Sequence, residues 1–248
     1  MNDITGLTAL VTGAGRGFGR GIATALSKAG ASVVGVGRDQ AHLAELRTEL
    51  GDTFTPIVAD AADAVVAGSL IDAYRPRVLV LNAGATPLPR PIHQHTWQSF
   101  SRNWEVDVQQ VFHWTREALL RPLHPDSIVL ALSSGAALRG SPLSGGYAGA
   151  KATIRFITAY AASESTKDGL DIRFVSLLPQ LTPATSLGSA GAAAYARRQG
   201  VDFSEFLRGL GPTLMPDQVG EAALKLVTGG EHDQNAYLLT HAGLTPLD

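Results

Sequence analysis

Leu7-Thr-Ala-Leu-Val-Thr12-Gly-Ala-Gly-Arg-Gly-Phe-Gly19 runs from a short apolar segment directly into alternating glycines. Behind it, Phe18, Ile22, Ala25, Leu26 and Ala29 recur at the spacing of one helix face. The stretch therefore reads as strand, glycine turn and helix. Glycines at 13, 15, 17, 19 and 21 would weaken a helix start unless close backbone approach were needed there. A turn at this point exposes free N–H groups at the positive end of the helix, where a pyrophosphate can be received. The spacing Gly13-x-x-x-Gly17-x-Gly19 differs from the strict G-x-G-x-x-G fingerprint, so the fold class rests equally on the chain around it.

Outward from the turn, strands and helices alternate. Ala31–Val36, Phe54–Val58, Arg77–Leu81, Ser127–Leu132, Ile172–Leu178 and Ala236–Thr240 read as further strands. Gln40–Leu50, Ala61–Tyr74, Thr96–Leu120, Gly145–Lys167 and Pro216–Val227 read as helices. Strands apolar throughout, alternating with helices, imply a parallel sheet covered on both faces. The expected architecture is α/β, a three-layer αβα sandwich of Rossmann-like type with seven mostly parallel strands. Residues 180–215 break the rhythm with Pro183, Gly188, Gly191 and Pro212 around short helical segments at Ala192–Gln199 and Phe203–Leu207. That insertion reads as a substrate lid within a single domain spanning residues 1–248.

Composition excludes several classes. The 248 residues carry 20 basic and 22 acidic side chains, a net charge of −2, and no basic tract suited to nucleic acid or a membrane surface. Absent cysteines remove disulfides, thiolate metal sites and Cys nucleophiles. With neither a leader pattern nor an apolar run of bilayer length, a cytoplasmic protein is the expectation.

Two further signals concern chemistry. Tyr147 and Lys151 stand one turn apart on the helix that begins at Gly145, so a phenol and an ammonium can address one ligand. Such pairs are common on solvated faces, and context decides their meaning. At the end of the second strand, Val36-Gly37-Arg38-Asp39 leaves room at Gly37 and offers Arg38 as a fork donor for a 2′-phosphate, with Arg16 adding a second charge. NADP(H) is preferred over NAD(H) on that basis. Asp39 is the opposing residue, although it is well positioned to cap the following helix.

Taken together, the chain resembles the short-chain dehydrogenase/reductase family over its whole length. The resemblance lies in Thr12-Gly-x-x-x-Gly-x-Gly19, Asp60 after the third strand, Asn82-Ala-Gly84 after the fourth, Ser134 after the fifth, and Tyr147-x-x-x-Lys151. It implies hydride transfer between a nicotinamide cofactor and a carbonyl or secondary alcohol, in a homotetramer or homodimer. Tyr147 would be the general acid or base, Lys151 its activating charge and a ribose ligand, and Ser134 the holder of the substrate oxygen. A phenol needs such a neighbouring charge to act near neutral pH. Gly13, Gly15, Arg16, Gly17, Phe18 and Gly19 would line the phosphates, and Asp60 with Ala61 would meet the adenine. Asn82, Ala83, Gly84, Pro179 and Thr182 would support the cofactor's other end, with Thr185 an alternative to Thr182.

The match has departures. Asp107 occupies the family's asparagine position in Val106-Asp-Val-Gln-Gln-Val-Phe112, and Gln110 replaces a glycine. A buried carboxylate there would pair with Lys151 and alter the proton chemistry of Tyr147. Pro179-Gln180 stands for the usual Pro-Gly. Asp107 and Gln180 motivate a second reading, a nicotinamide-binding regulatory or scaffold protein with little turnover. His93 and His95 lack a third ligand nearby in sequence, so no metal is expected. Leu132-Ser-Ser-Gly-Ala lacks the G-x-S-x-G elbow of a hydrolase. Leu187, Phe203, Phe206 and Leu210 in the lid suggest a largely apolar substrate.

Overall fold

A computed structural model describes residues 3–229 and 234–247. Strands β1 (Thr8–Thr12), β2 (Ser32–Gly37), β3 (Phe54–Val58), β4 (Val78–Leu81), β5 (Ile128–Leu132), β6 (Arg173–Pro179), β7 (Ala236–Thr240) and β8 (Gly243–Pro246) form one sheet. Their spatial order is β3-β2-β1-β4-β5-β6-β7-β8. The first seven pair in parallel; β8 returns antiparallel along β7. The sheet thus has eight strands where seven are expected from sequence. The extra one is a four-residue edge strand ending at Pro246, entered through Gly243 at φ +116°, too short to show alternation.

The helices are α1 (Gly17–Lys28), α2 (Gln40–Leu50), α3 (Ala64–Tyr74), α4 (Trp97–Asn103), α5 (Gln109–Leu120), α6 (Ala136–Arg139), α7 (Gly145–Lys167), α8 (Ser186–Gln199), α9 (Phe203–Leu210) and α10 (Pro216–Thr228). Strand side chains alternate between faces, and this splits the core in two. Ala9, Val11, Val33 and Val80 pack with Ile22, Leu43, Leu46, Val219 and Leu226 from α1, α2 and α10. Leu10, Val34 and Leu79 pack with Ile71, Val111, Trp114 and Ile154 from α3, α5 and α7. That is the expected sandwich. No helix among the described residues is long and apolar enough to cross a membrane.

Three local differences bear on the site. α3 starts at Ala64 rather than Ala61, because the Asp63 side chain caps it by accepting from Val65 N at 2.7 Å. The span 96–120 is not one regular helix: Trp104–Val108 forms a π-helical turn between α4 and α5, and Asp107 lies in it. The short α6 follows Ser134 directly and has no counterpart in the sequence reading.

Close backbone packing sets where these helices lie. A Cβ on Gly146 would sit 2.1 Å from the Phe100 carbonyl oxygen, and one on Gly149 3.4 Å from the Trp104 ring. Glycine at 146 therefore lets α7 lie against α4, which carries Lys151 toward Asp107. Gly21 acts likewise between α1 and α10, since its Cβ would stand 2.2 Å from the Pro216 carbonyl oxygen.

Candidate active site

Chain direction reverses in the sheet between β1 and β4, the switch point where α/β proteins open a crevice at the strands' carboxyl ends. A cleft of about 1560 Å³ occupies that position. Most of the residues picked from sequence line it: Gly13, Gly15, Arg16, Gly17 and Phe18 from the turn; Arg38, Asp60 and Ala61 from the ends of β2 and β3; Asn82, Ala83 and Gly84 after β4; and Asp107, Ser134, Tyr147, Lys151, Pro179 and Thr182. Gly19 does not. A Cβ there would meet the Gly13 carbonyl oxygen at 2.1 Å and the Asn82 amide nitrogen at 2.4 Å, so its glycine serves closure of the turn beneath the cleft.

The turn is cross-braced to β4. Thr12 Oγ1 accepts from Asn82 N at 2.9 Å and Ala83 N at 3.1 Å, and Asn82 Nδ2 donates to Thr12 O at 3.0 Å and Gly13 O at 3.2 Å. The Asn82 amide thus holds the turn rather than reaching outward. At the mouth of α1, Arg16 is the N-cap without a side-chain capping bond, and the first turn contains no acidic residue. The N–H groups of that turn are left for an outside anion, which the exposed Arg16 guanidinium beside them would also favour. These donors fit a dinucleotide's phosphates.

At the adenosine end, the Asp39 carboxylate is engaged with its own helix. It accepts from Ala41 N at 3.0 Å and His42 N at 3.2 Å, and contacts His42 Nδ1 at 3.1 Å. Arg38 is 67% exposed and only loosely paired with Asp60 at 3.9 Å. The cleft here also includes His42, which sequence reading passed over.

The catalytic end is built from α7, β5 and the π turn. Ser133 Oγ donates to the Lys151 carbonyl at 2.7 Å and is spent on anchoring α7. Ser134 Oγ accepts from Ala136 N at 3.2 Å, so its proton remains available to the cleft. Lys151 is buried; its Nζ donates to Leu132 O at 3.0 Å, lies 5.6 Å from the Tyr147 ring centroid and pairs with Asp107 Oδ2 at 3.2 Å. Burial works to lower the Lys151 pKa, but the charges on Asp107 and Tyr147 more than offset it, and the ammonium is held above the usual lysine value.

Asp107 is itself buried and fully engaged: Oδ1 accepts from Ala85 N at 2.8 Å and Asn103 Nδ2 at 3.3 Å, and Asn103 Nδ2 also donates to Ala85 O at 2.7 Å. A Cβ on Gly84 would stand 2.8 Å from Oδ2, so the carboxylate and the glycine fit as a pair. Gln110, the other departure, bridges Thr12 Oγ1 at 2.9 Å and the Ala83 carbonyl at 3.0 Å. Asn103 escapes notice in the sequence because nothing in its local spacing marks it, and Gln110 stands out there only as a departure from the family's glycine.

Elsewhere the sequence expectations fare unevenly. The Thr182 hydroxyl is buried and donates to Leu214 O at 2.5 Å, which leaves Thr185, capping α8 through Gly188 N, as the other hydroxyl of that segment. Gln180 needs no glycine-like backbone, for it is not among the residues with positive φ. Of the lid residues named for an apolar pocket, Leu187 lines the cleft; Phe203, Phe206 and Leu210 do not, and Phe206 stacks behind Tyr195. The described residues contain no cluster of three metal-ligating side chains, and His95 bonds to Ser99 Oγ at 3.0 Å and Arg90 O at 3.2 Å.

Sheet order, phosphate turn and a Ser/Tyr/Lys group around one cleft define a nicotinamide-dependent oxidoreductase. The chain belongs to the short-chain dehydrogenase family, which it matches over residues 7–193. It is 30% identical over 237 residues to an uncharacterized short-chain type dehydrogenase/reductase of Sinorhizobium fredii, covering 90% of this chain and 92% of the relative. Among solved structures it superposes on a 3-ketoacyl-(acyl-carrier-protein) reductase from Brucella melitensis complexed with NADH, at TM-score 0.79 and 27% identity, covering 96% of this chain and 98% of that one. A gluconate 5-dehydrogenase-type protein from Beutenbergia cavernae with bound NADP gives TM-score 0.80 at 26% identity, covering 95% of each chain.

Proposed function

We propose that the protein is an NADP(H)-preferring reductase or dehydrogenase in which Tyr147 is the acid/base, Lys151 its electrostatic partner, Ser134 the donor to the substrate oxygen and Asp107 the charge that moderates Lys151. The observation that carries this reading is the Tyr147, Lys151 and Asp107 arrangement beside Ser134 in one cleft. The bound nicotinamide supplies or accepts the hydride. The chain's part is to bind, orient and move a proton: Ser134 Oγ donates to the substrate oxygen, and the Tyr147 phenol gives that oxygen its proton in reduction or removes it in oxidation. The nearby ammonium stabilises the phenolate that results. Asp107 partly cancels the charge of that ammonium.

Preference for NADP(H) is supported by Arg16 and Arg38 facing the cleft, by Gly37 in place of an acidic residue, and by an Asp39 carboxylate already occupied. The 2′-phosphate of NADP(H) would lie between the two guanidinium groups. Residues 180–215, with α8 and α9, serve as a lid over the substrate end. Trp104, Phe112, Phe156 and Tyr160 expose an apolar face along the π turn, α5 and α7, and a second copy of the chain is the proposed cover, giving a homodimer or homotetramer.

A panel of ketones and secondary alcohols assayed with NADPH, NADH and their oxidised forms tests the reading, with Tyr147→Phe as control. We expect turnover that falls by about 10²- to 10⁴-fold in that variant, the usual worth of a general acid/base. Cofactor binding without any Tyr147-dependent turnover would support the regulatory alternative instead. Tighter binding of NADH than NADPH would overturn the cofactor assignment.

A further inference from the structure

Besides the buried Lys151–Asp107 pair, the substrate end of the cleft carries the exposed Arg139 at the end of α6. It has no ion-pair partner among the described residues. Its surroundings are otherwise weakly polar or apolar, with Leu138, Leu143 and Leu187 among the walls. An exposed guanidinium without an ion-pair partner, at the rim of a cavity with apolar walls, is able to receive an anion from outside.

Two residues further on, a hydroxyl is aimed by its partners. Ser141 Oγ accepts from Leu143 N at 3.3 Å and from Ser144 N at 3.2 Å, which takes up its lone pairs. Its third partner is the Tyr195 oxygen, and either hydroxyl can be the donor of that bond. With Ser141 as the donor, the Tyr195 O–H is left to donate into the cleft, on a half-buried ring that lines it. The ring is fixed from behind by stacking on Phe206 at 6.3 Å. Arg139 and Tyr195 thus can both present donors at the end of the cleft where Ser134 and Tyr147 take the reacting oxygen.

We propose that the substrate bears a carboxylate remote from its reacting carbonyl or hydroxyl, bound by the Arg139 guanidinium and the Tyr195 hydroxyl, with an apolar segment between the two ends against Leu143 and Leu187. This rests on the oxidoreductase reading above and names the substrate class for it: an oxo acid or hydroxy acid. A planar carboxylate matches the guanidinium fork, and Tyr195 on the lid helix α8 couples its capture to the lid.

Straight-chain methyl ketones ending in a carboxylate, in increasing length, assayed beside their methyl esters with NADPH, provide the test. At the matching length the acid should exceed its ester in kcat/KM by about tenfold or more, the scale of one charge-assisted hydrogen bond in a partly open site. Arg139→Ala should bring that ratio close to unity, Arg139→Lys should restore part of it, and Tyr195→Phe should lower it several-fold. Equal turnover of acid and ester by the native enzyme, or a ratio that survives Arg139→Ala, would overturn the proposal. To separate this outcome from failure of the oxidoreductase reading, the same acids and esters are titrated into the NADPH complex of Tyr147→Phe, following cofactor fluorescence. Selective binding of acids that is lost with Arg139→Ala supports the carboxylate site whether or not turnover is seen; binding of esters and acids alike refutes it.

Discussion

Replacing Asp107 by asparagine removes one negative charge from a buried site while keeping the shape. Its Oδ2 lies 3.2 Å from Lys151 Nζ, which in turn lies 5.6 Å from the Tyr147 ring centroid. The carboxylate is therefore within the sum of those distances, about 9 Å, of the ring. At an effective dielectric constant of about 20, a unit charge at that range acts on a phenolate with roughly 2 kcal/mol, and solvent at the half-open tyrosine reduces this to about 1 kcal/mol. The sign follows directly. Losing a nearby negative charge stabilises the phenolate, so the controlling proton leaves at lower pH in the variant. For alcohol oxidation, the acidic limb of the kcat/KM profile should move down by about 0.7 pH unit, and near neutral pH the variant should oxidise up to about fivefold faster. For ketone reduction, the alkaline limb should move down by a similar amount. Initial rates in both directions across the pH range, with folding checked by circular dichroism, measure the shift. Superposable profiles would refute the idea that Asp107 moderates the ammonium.

Other expectations are independent of that one. Arg38→Ala should lower the ratio of NADH to NADPH dissociation constants by about tenfold or more, the worth of a charge-assisted contact to phosphate, as read by cofactor fluorescence. Gly146→Ala forces a methyl group to within 2.1 Å of the Phe100 carbonyl oxygen, so α7 must shift away from α4. A loss of roughly 3 kcal/mol or more in unfolding free energy, and a slower enzyme as Lys151 moves off Asp107, should follow in denaturant titration and rate assays. The Lys151 pKa is raised on folding, so the stability it contributes is complete below the ordinary lysine value of about 10.4 and is lost as pH rises through the higher folded value. Denaturant midpoints for the native protein should therefore fall more steeply at strongly alkaline pH than those of an Asp107→Asn/Lys151→Met double variant.

What could be read from sequence follows physical range. The strands at Leu7–Val11 and Arg77–Leu81 announce themselves because a parallel strand buried on both faces must be apolar throughout, and the structure finds β1 and β4 there within a residue or so. Asp39 was legible as a cap because capping is decided within three residues. The π turn at 104–108 was not legible, since its cause is tertiary: Asp107 and Asn103 bind Ala85, a loop far away in sequence, and the helix register adjusts to meet it. β8 escaped for the opposite reason, being too short for any periodicity to show. At the site, residues acting through their own side chains were picked out, whereas Gln110, Asn103 and the Ser141–Tyr195 pair act through partners that only folding supplies.

The two departures at 107 and 110 also explain each other. Asp107 holds the amide of Ala85, and Gln110 holds the carbonyl of Ala83, so one turn of chain after β4 is gripped on both sides of Gly84. Gly84 must be glycine for the carboxylate to fit, and Thr12 ties the same stretch to the phosphate turn by accepting from Asn82 N and Ala83 N. Residues 82–85 thus form a floor joined to the glycine turn on one side and to Lys151 on the other, through a single bonded path from Thr12 by way of Gln110, Ala83 and Ala85 to Asp107. A buried carboxylate that merely neutralised a catalytic lysine would be a cost with no return. Here the same carboxylate that faces Lys151 and Asn103 also fixes the loop proposed to carry the cofactor, and desolvation of the charge is offset by three polar partners rather than one. Asp107 therefore has a structural role in the loop after β4 that does not depend on how far it moderates Tyr147.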